Sequence, residues 1–98
     1  MVIEYNSRTI ERVCPDAAVA ERKYGRRMAE KIQMRIDQIQ AADSVEMMIK
    51  FQLGRCHPLK GNRKEQYAVD LVHPYRLVFE KKNNEIRIVN VIEIVDYH

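Results

Sequence analysis

The N-terminal half of the chain places its apolar residues at spacings typical of helices. Residues 2–13 form a short β-type segment and then a first helical turn, for which either Asn6 or Ser7 supplies the cap. Apolar side chains recur over residues 16–42 at three-, four- and seven-residue spacings, which predicts one long amphipathic helix. Gly25 interrupts that pattern and leaves a bend, close packing or a break open. The core-facing stripe comprises Ala17, Tyr24, Met28, Ile32, Ile36 and Ile39.

The pattern changes in the C-terminal half. Residues 43–46 form a capping box, a side-chain acceptor three positions before a glutamate, and predict a short helix that reaches Leu53 and ends at Gly54. The chain then becomes rich in Tyr, Val, Ile and Phe, which favour strands. The links at residues 73–74 and 82–85 are short, so the strands are expected to form antiparallel hairpins. The predicted strands are residues 66–72, 75–81 and 86–95.

The third predicted strand is apolar on both faces. Val89, Val91 and Val95 share one face by simple alternation, and the isoleucines at 86, 88, 92 and 94 share the other. Such a strand is expected in the interior of a sheet rather than at its edge. The resulting order, β-α-α-β-β-β, predicts a single α+β domain over residues 1–98.

Composition narrows the class of protein. The chain has 98 residues, 46% of them hydrophobic, which is enough for one modest core and no separate cofactor domain. A net charge of +3 permits a nucleic-acid partner without requiring one. Its two cysteines have no CxxC or zinc-like spacing, so we expect no disulfide framework and no metal or cofactor. Neither a signal peptide nor a run of ~18 apolar residues is seen, which predicts a cytoplasmic protein without a membrane span.

Three places in the sequence carry candidate chemistry. His57 and Lys60 lie in a loop over residues 56–62, where Pro58 and Gly61 restrict and turn the backbone. Arg76 lies within a predicted strand, and Asp96, Tyr97 and His98 follow the most apolar one. Two imidazoles with two cations can cleave a phosphodiester without metal, because one imidazole takes a proton from a ribose hydroxyl and the other protonates the leaving oxygen.

Each of these places also has an ordinary structural interpretation. A histidine beside a lysine is more often a solvated loop, and an arginine in a strand is more often exposed or ion-paired. Residues 96–98 would more commonly be a frayed chain end. Spacing alone therefore does not decide the function.

The ordered set of these residues resembles HigB, a branch of the RelE/ParE toxins also called plasmid-maintenance killer proteins. The resemblance covers residues 57–67, 75–79 and 93–98, with loose agreement in the N-terminal element order. It implies a microbial RNase fold, in which a curved antiparallel sheet packs against N-terminal helices. It also implies metal-independent cleavage of mRNA on the ribosome, and neutralisation by a HigA-like antitoxin with a helix-turn-helix.

The resemblance assigns roles to individual positions. It implies proton transfer by His57 and His98, and phosphate stabilisation by Lys60 and Arg76. It further implies base stacking or orientation by Tyr97, with Asp96 orienting its neighbours.

Two features depart from the family pattern. Residues 73–74, His-Pro, replace a turn that commonly contains Gly or Asn, and Asp70 stands where a basic residue is common. His73 is close enough to Arg76 in sequence to be an alternative participant.

Two other functions remain open from the sequence. A ParE-like toxin would share the fold, act on DNA gyrase and need no catalytic residues. A plain RNA-binding or partner-binding domain would need none either. The terminal Asp96, Tyr97 and His98 favour the nuclease over the ParE-like toxin, whereas a plain binding domain would leave mRNA intact on ribosomes.

Overall fold

The computed structural model describes residues 1–83 and 85–96, and in that part of the chain one five-stranded sheet packs with four α-helices. The helices are α1 (Arg8–Val13), α2 (Ala17–Tyr24), α3 (Arg26–Ala41) and α4 (Val45–Lys50). The strands are β1 (Val2–Tyr5), β2 (His57–Pro58), β3 (Gln66–Asp70), β4 (Tyr75–Lys81) and β5 (Ile88–Asp96). The predicted α+β class is confirmed, and β2 is a short strand where the sequence predicts a loop.

The sheet has the strand order β1-β5-β4-β3-β2. The hairpins β3-β4 and β4-β5 are antiparallel as predicted. The short strand β2 pairs with β3 at the edge of the sheet and is also antiparallel to it. β1 pairs with β5 in parallel, because the chain crosses the helical layer between them. β5 therefore lies in the interior of the sheet, as its two apolar faces predict.

Residues 16–42 form two helices instead of one, because the chain breaks at Gly25. Gly25 has φ 89° and ψ 166°, a conformation close to glycine-only, and its N–H donates to the Glu21 carbonyl at the end of α2. A Cβ built at Gly25 would meet nothing within 4 Å among the described residues, so backbone conformation and not close packing requires the glycine. α2 and α3 consequently pack against each other as a hairpin.

The core lies between α3 and the face of the sheet that the helices cover. Ile32, Ile36 and Ile39 of α3 are buried there as the stripe predicts, whereas Ala17 is exposed and Ala20 takes the buried place in α2. Ala20 is buried in place of Ala17 because the chain breaks at Gly25, so the buried side of α2 is not set by the helical repeat of α3. From the sheet, the buried partners include Val69, Leu77, Phe79, Val89 and Val91.

A β-bulge in β5 changes which of its residues face the helices. Val78 pairs with Glu93, but Phe79 pairs with Val91, so Ile92 is an extra residue on β5. The prediction that Val95 shares a face with Val89 is therefore wrong, because one inserted residue reverses the alternation. Ile94 packs against the helix-side core, and Val95 lies opposite Arg76 on the other face.

The helix after residue 43 is shorter than predicted. Its cap is Ser44, whose Oγ accepts from the Met47 N–H at 3.1 Å, and not Asp43, the acceptor three positions before Glu46 in the predicted capping box. The helix α4 ends at Lys50 rather than Leu53. Gln52 then adopts a left-handed conformation (φ 54°), and Gly54 does so again (φ 59°) inside a 3₁₀ turn, Leu53–Arg55. Arg55 is left-handed as well (φ 56°), and three left-handed residues so close together turn the chain sharply into β2.

Candidate active site

Two of the candidate residues, His57 and Arg76, lie on the face of the sheet away from the helices. Residues paired across neighbouring strands share a face, so the register places His57 in a row with Ala68 and Val78. Asp70 and Arg76 form the next row on that same face. Ala68 and Val78, in the row of His57, are fully buried yet lie outside the helix-side core.

His57 is held by a local contact with the backbone. Its Nδ1 lies 2.8 Å from the carbonyl oxygen of Arg55. A carbonyl oxygen only accepts, so Nδ1 carries the proton in this hydrogen bond. In the neutral imidazole the proton-accepting nitrogen is then Nε2, which is the state that a general base needs.

His57 and Arg76 line one cleft of about 410 Å³. The rest of its lining in the described chain is Ile49, Gln52, Arg55 and Cys56. Arg76 also borders a neighbouring cleft of about 240 Å³, whose lining includes Asp70 and His73. The structure thus brings together two of the predicted site residues, from β2 and from β4.

Arg55 and Asp70 join this site, although sequence reasoning assigns neither of them a role in it. The Asp70 carboxylate lies 3.3 Å from Arg55 Nε through Oδ2 and 3.5 Å from Arg76 Nε through Oδ1. Asp70 can be noticed from the sequence, because it departs from the HigB pattern. Arg55 cannot be noticed in this way, because it lies in an irregular turn with φ 56°.

The remaining predicted residues are placed differently. Lys60 is exposed and is not among the described residues that line either cleft. Asp96 pairs with Tyr75, one position from Arg76, so its register is that of the helix-side face. Tyr97 and His98 lie outside the described residues.

No protein-family model matches the chain, and no curated protein matches it in sequence. Solved structures match it over its whole length. The YoeB/ParE toxin from Agrobacterium tumefaciens superposes with a TM-score of 0.64 at 18% identity, covering 100% of both chains. The chain has the YoeB/ParE toxin fold. A YoeB-YefM complex and a heterotetrameric YoeB-YefM toxin-antitoxin complex from Staphylococcus aureus each match with a TM-score of 0.64 and 19% identity, covering 100% of this chain and 97% of theirs.

Within this YoeB/ParE fold, the partly buried cation Arg35 contacts the backbone of the candidate site from the helical layer. Arg35 of α3 donates from Nε to the Asp70 carbonyl oxygen at 2.6 Å and from Nη1 to Gln38 Oε1 at 3.0 Å. Burial lowers the pKa of the Arg35 guanidinium, and the nearby Asp70 carboxylate partly opposes that lowering. The contact ties the end of β3, and with it Asp70, to the helical layer.

The thiol in the cleft is not an activated nucleophile. Burial raises the pKa of Cys56 to about 11, above its ordinary value of 9.0. The thiol is therefore protonated at neutral pH, and only the thiolate would attack a phosphorus or carbonyl centre. Among the described residues that line the cleft, His57 is then the side chain able to accept a proton from a substrate.

Across residues 1–83 and 85–96, no three His, Cys, Asp or Glu side chains are grouped so that they could hold a metal ion. Over the same residues, every helix is too short or too polar to span a bilayer.

Proposed function

We propose that this protein is a HigB-type toxin of the RelE/ParE superfamily that cuts mRNA on the ribosome. The observation that carries this proposal is the shared cleft of His57 and Arg76 on the open face of the sheet. A general base beside a guanidinium supplies two of the groups that phosphoryl transfer within RNA uses. The fold shared with YoeB/ParE toxins supports the toxin role.

In the proposed reaction, His57 Nε2 takes the proton of a ribose 2′-hydroxyl. The 2′-oxygen then attacks the adjacent phosphorus, and the bond to the 5′-oxygen of the next nucleotide breaks. Arg76, with Lys60, stabilises the charge that develops on the phosphoryl oxygens, and His98 protonates the departing oxygen. The products are a 2′,3′-cyclic phosphate and a free 5′-hydroxyl.

Tyr97 and Asp96 complete the proposed site. Tyr97 would stack on or orient a base, as aromatic side chains commonly do in single-stranded RNA recognition. Asp96 would orient its neighbours at the end of β5. Both assignments rest on the resemblance of residues 93–98 to HigB.

We further propose that a HigA-like helix-turn-helix antitoxin neutralises the protein. The structural neighbours include YoeB-YefM toxin-antitoxin complexes, which supports an antitoxin partner. Co-expression with a small helix-turn-helix protein encoded beside this chain should give a stable complex and relieve growth arrest. Growth arrest that persists despite complex formation would contradict the neutralising role.

The chemistry of the RNA ends tests the proposal. Purified protein added to ribosomes carrying a defined mRNA should generate 3′ ends blocked by a cyclic phosphate and 5′ ends that a kinase can label directly. The same mRNA without ribosomes should be cut weakly. Intact mRNA together with inhibited supercoiling by DNA gyrase would instead establish a ParE-like activity, an alternative that the likeness to the Agrobacterium YoeB/ParE toxin keeps open.

A further inference from the structure

One carboxylate lies between two guanidinium groups at the edge of the cleft. Each Asp70 oxygen faces a different arginine, Oδ1 towards Arg76 Nε at 3.5 Å and Oδ2 towards Arg55 Nε at 3.3 Å. Arg76 belongs to the middle strand β4, whereas Arg55 ends the 3₁₀ turn before β2. Two segments well separated in sequence therefore converge on a single anion.

We propose that Arg55 and Arg76 form a two-arginine phosphate site for the RNA backbone, and that Asp70 is its positioning residue. This rests on the proposed function, because it takes RNA as the ligand. Guanidinium groups bind phosphate through paired N–H donors in a fixed planar arrangement. Two of them beside His57 would hold the backbone of the strand that His57 acts upon.

The side chains of Arg55 and Arg76 differ in how much of each is exposed, and this difference indicates different roles for the two arginines. The Arg55 side chain is 80% exposed, whereas the Arg76 and Asp70 side chains are 31% and 26% exposed. Arg55 therefore reaches into solvent at the rim, where a polyanion arrives first, and Arg76 lies deeper beside His57. Arg55 should bind a phosphate neighbouring the reacting one and affect binding more than the chemical step.

Asp70 is needed because two like charges repel each other. Without an anion between them, the guanidinium groups would separate into solvent, and RNA binding would have to reassemble the site. The Asp70 backbone is fixed by Arg35, and Arg35 also packs beside Gly54, the residue before Arg55. One side chain of α3 thus contacts the Asp70 backbone and also lies beside the residue that precedes Arg55.

The test measures binding of a fluorescein-labelled, single-stranded 2′-O-methyl RNA, which lacks the attacking hydroxyl, between about 50 and 200 mM salt. Arg55→Gln should reduce the slope of log affinity against log salt by about 0.7, the value for one phosphate contact on a single strand. Arg12→Gln removes the same charge from α1 and should leave the slope unchanged. Thermal melts of each variant establish that the proteins compared are folded.

The Asp70→Asn variant tests whether Asp70 positions the two arginines or competes with the RNA phosphate for them. The variant removes a negative charge next to the proposed phosphate, so a competing anion would make the oligonucleotide bind more tightly. A positioning residue predicts the opposite, about tenfold weaker binding, the equivalent of one charge-assisted hydrogen bond. Asp70→Glu keeps the carboxylate and should recover part of the affinity. On ribosomes, Asp70→Asn should lower kcat as well as raise KM, whereas Arg55→Gln should mainly raise KM.

The outcomes distinguish this inference from the proposed function. An unchanged salt slope in Arg55→Gln, or an equal decrease in Arg12→Gln, would overturn the phosphate site even if the wild-type protein cuts mRNA. Tighter binding by Asp70→Asn would overturn the positioning role. Wild-type protein that binds the oligonucleotide through Arg55 but never cuts mRNA would support the phosphate site and refute the nuclease.

Discussion

Replacing Gly54 by alanine should destabilise the protein through two separable effects. Gly54 has φ 59°, a left-handed conformation that costs a residue with a Cβ about 1–2 kcal/mol. A Cβ at this position would also lie 2.7 Å from Arg35 Nε and 2.9 Å from Arg35 Cδ. The guanidinium would have to move, and its 2.6 Å bond to the Asp70 carbonyl would be lost.

The loss of the Arg35–Asp70 hydrogen bond determines how much more Gly54→Ala should lower the free energy of unfolding than backbone strain alone. Loss of a partly buried hydrogen bond from a charged donor costs about 1.5–3 kcal/mol, in addition to the backbone strain. Gly61 provides the matched control, because it has φ 67° and a Cβ there meets nothing within 4 Å in the described chain. Gly61→Ala should therefore cost the strain alone, about 1–2 kcal/mol.

Urea and thermal unfolding of the two variants measure the difference. The Tm of Gly54→Ala should lie at least ~6 °C below that of Gly61→Ala, because each kcal/mol lowers Tm by about 4–8 °C in a domain of this size. In an Arg35→Ala background, Gly54→Ala should add only the strain, since the obstructing side chain has gone. Equal Tm values for the two glycine variants would refute the account of Arg35 as the group that links α3, Gly54 and Asp70.

Three further predictions concern chemistry and pH. Cleavage of ribosome-bound mRNA should survive chelation of divalent metal at chelator concentrations that keep ribosomes intact. In a ribosome-free RNA assay, cleavage that is lost on adding chelator and restored by metal would argue against the mechanism. Deletion of His98 should leave folding and antitoxin binding nearly unchanged but reduce cleavage by about 10²–10⁴-fold, and a truncated protein as active as wild type would exclude His98. Burial raises the pKa of Cys14 to about 12 and of Cys56 to about 11, so the folded state holds both protons more tightly than the unfolded state. Their contribution to stability is complete below pH ~9 and should decline as pH rises towards those values, whereas Cys→Ser variants should show a smaller decline in urea titrations at alkaline pH.

The sequence predicts most of the fold where periodicity is strong. The stripe of α3, the hairpins of β3 to β5 and the interior position of β5 follow from side-chain spacing. The break at Gly25 does not follow from it, because the same apolar repeat continues on both sides of the glycine. Backbone conformation decides between a bend and a break there.

The β-bulge shows why side-chain faces are harder to predict than strands. Ile92 is inserted opposite the Val78–Phe79 step, and the shift becomes apparent from the pairing with β4 rather than from β5 itself. Every face assignment after that residue changes. A period-two pattern in one strand contains no information about its neighbour's register.

The candidate site is predictable in part. Residue type and the resemblance to HigB make His57 and Arg76 candidates, and the structure places both in the lining of one cleft. Arg55 is missed because an arginine in an irregular turn carries no pattern, and the role proposed for it depends on where Asp70 lies in space. Asp70 is visible as a departure from the family, but its contacts with two arginines require the tertiary structure.

The most direct test of the central claim compares two histidines near Arg76. His57 lines the cleft proposed as the active site, and His73 lines the neighbouring one. Cleavage of ribosome-bound mRNA is measured at equal folded concentrations of wild type, His57→Gln and His73→Gln. His57→Gln should lose about 10²–10⁴-fold in rate, whereas His73→Gln should cut at nearly the wild-type rate. Full activity in His57→Gln, or a comparable loss in His73→Gln alone, would contradict the central claim.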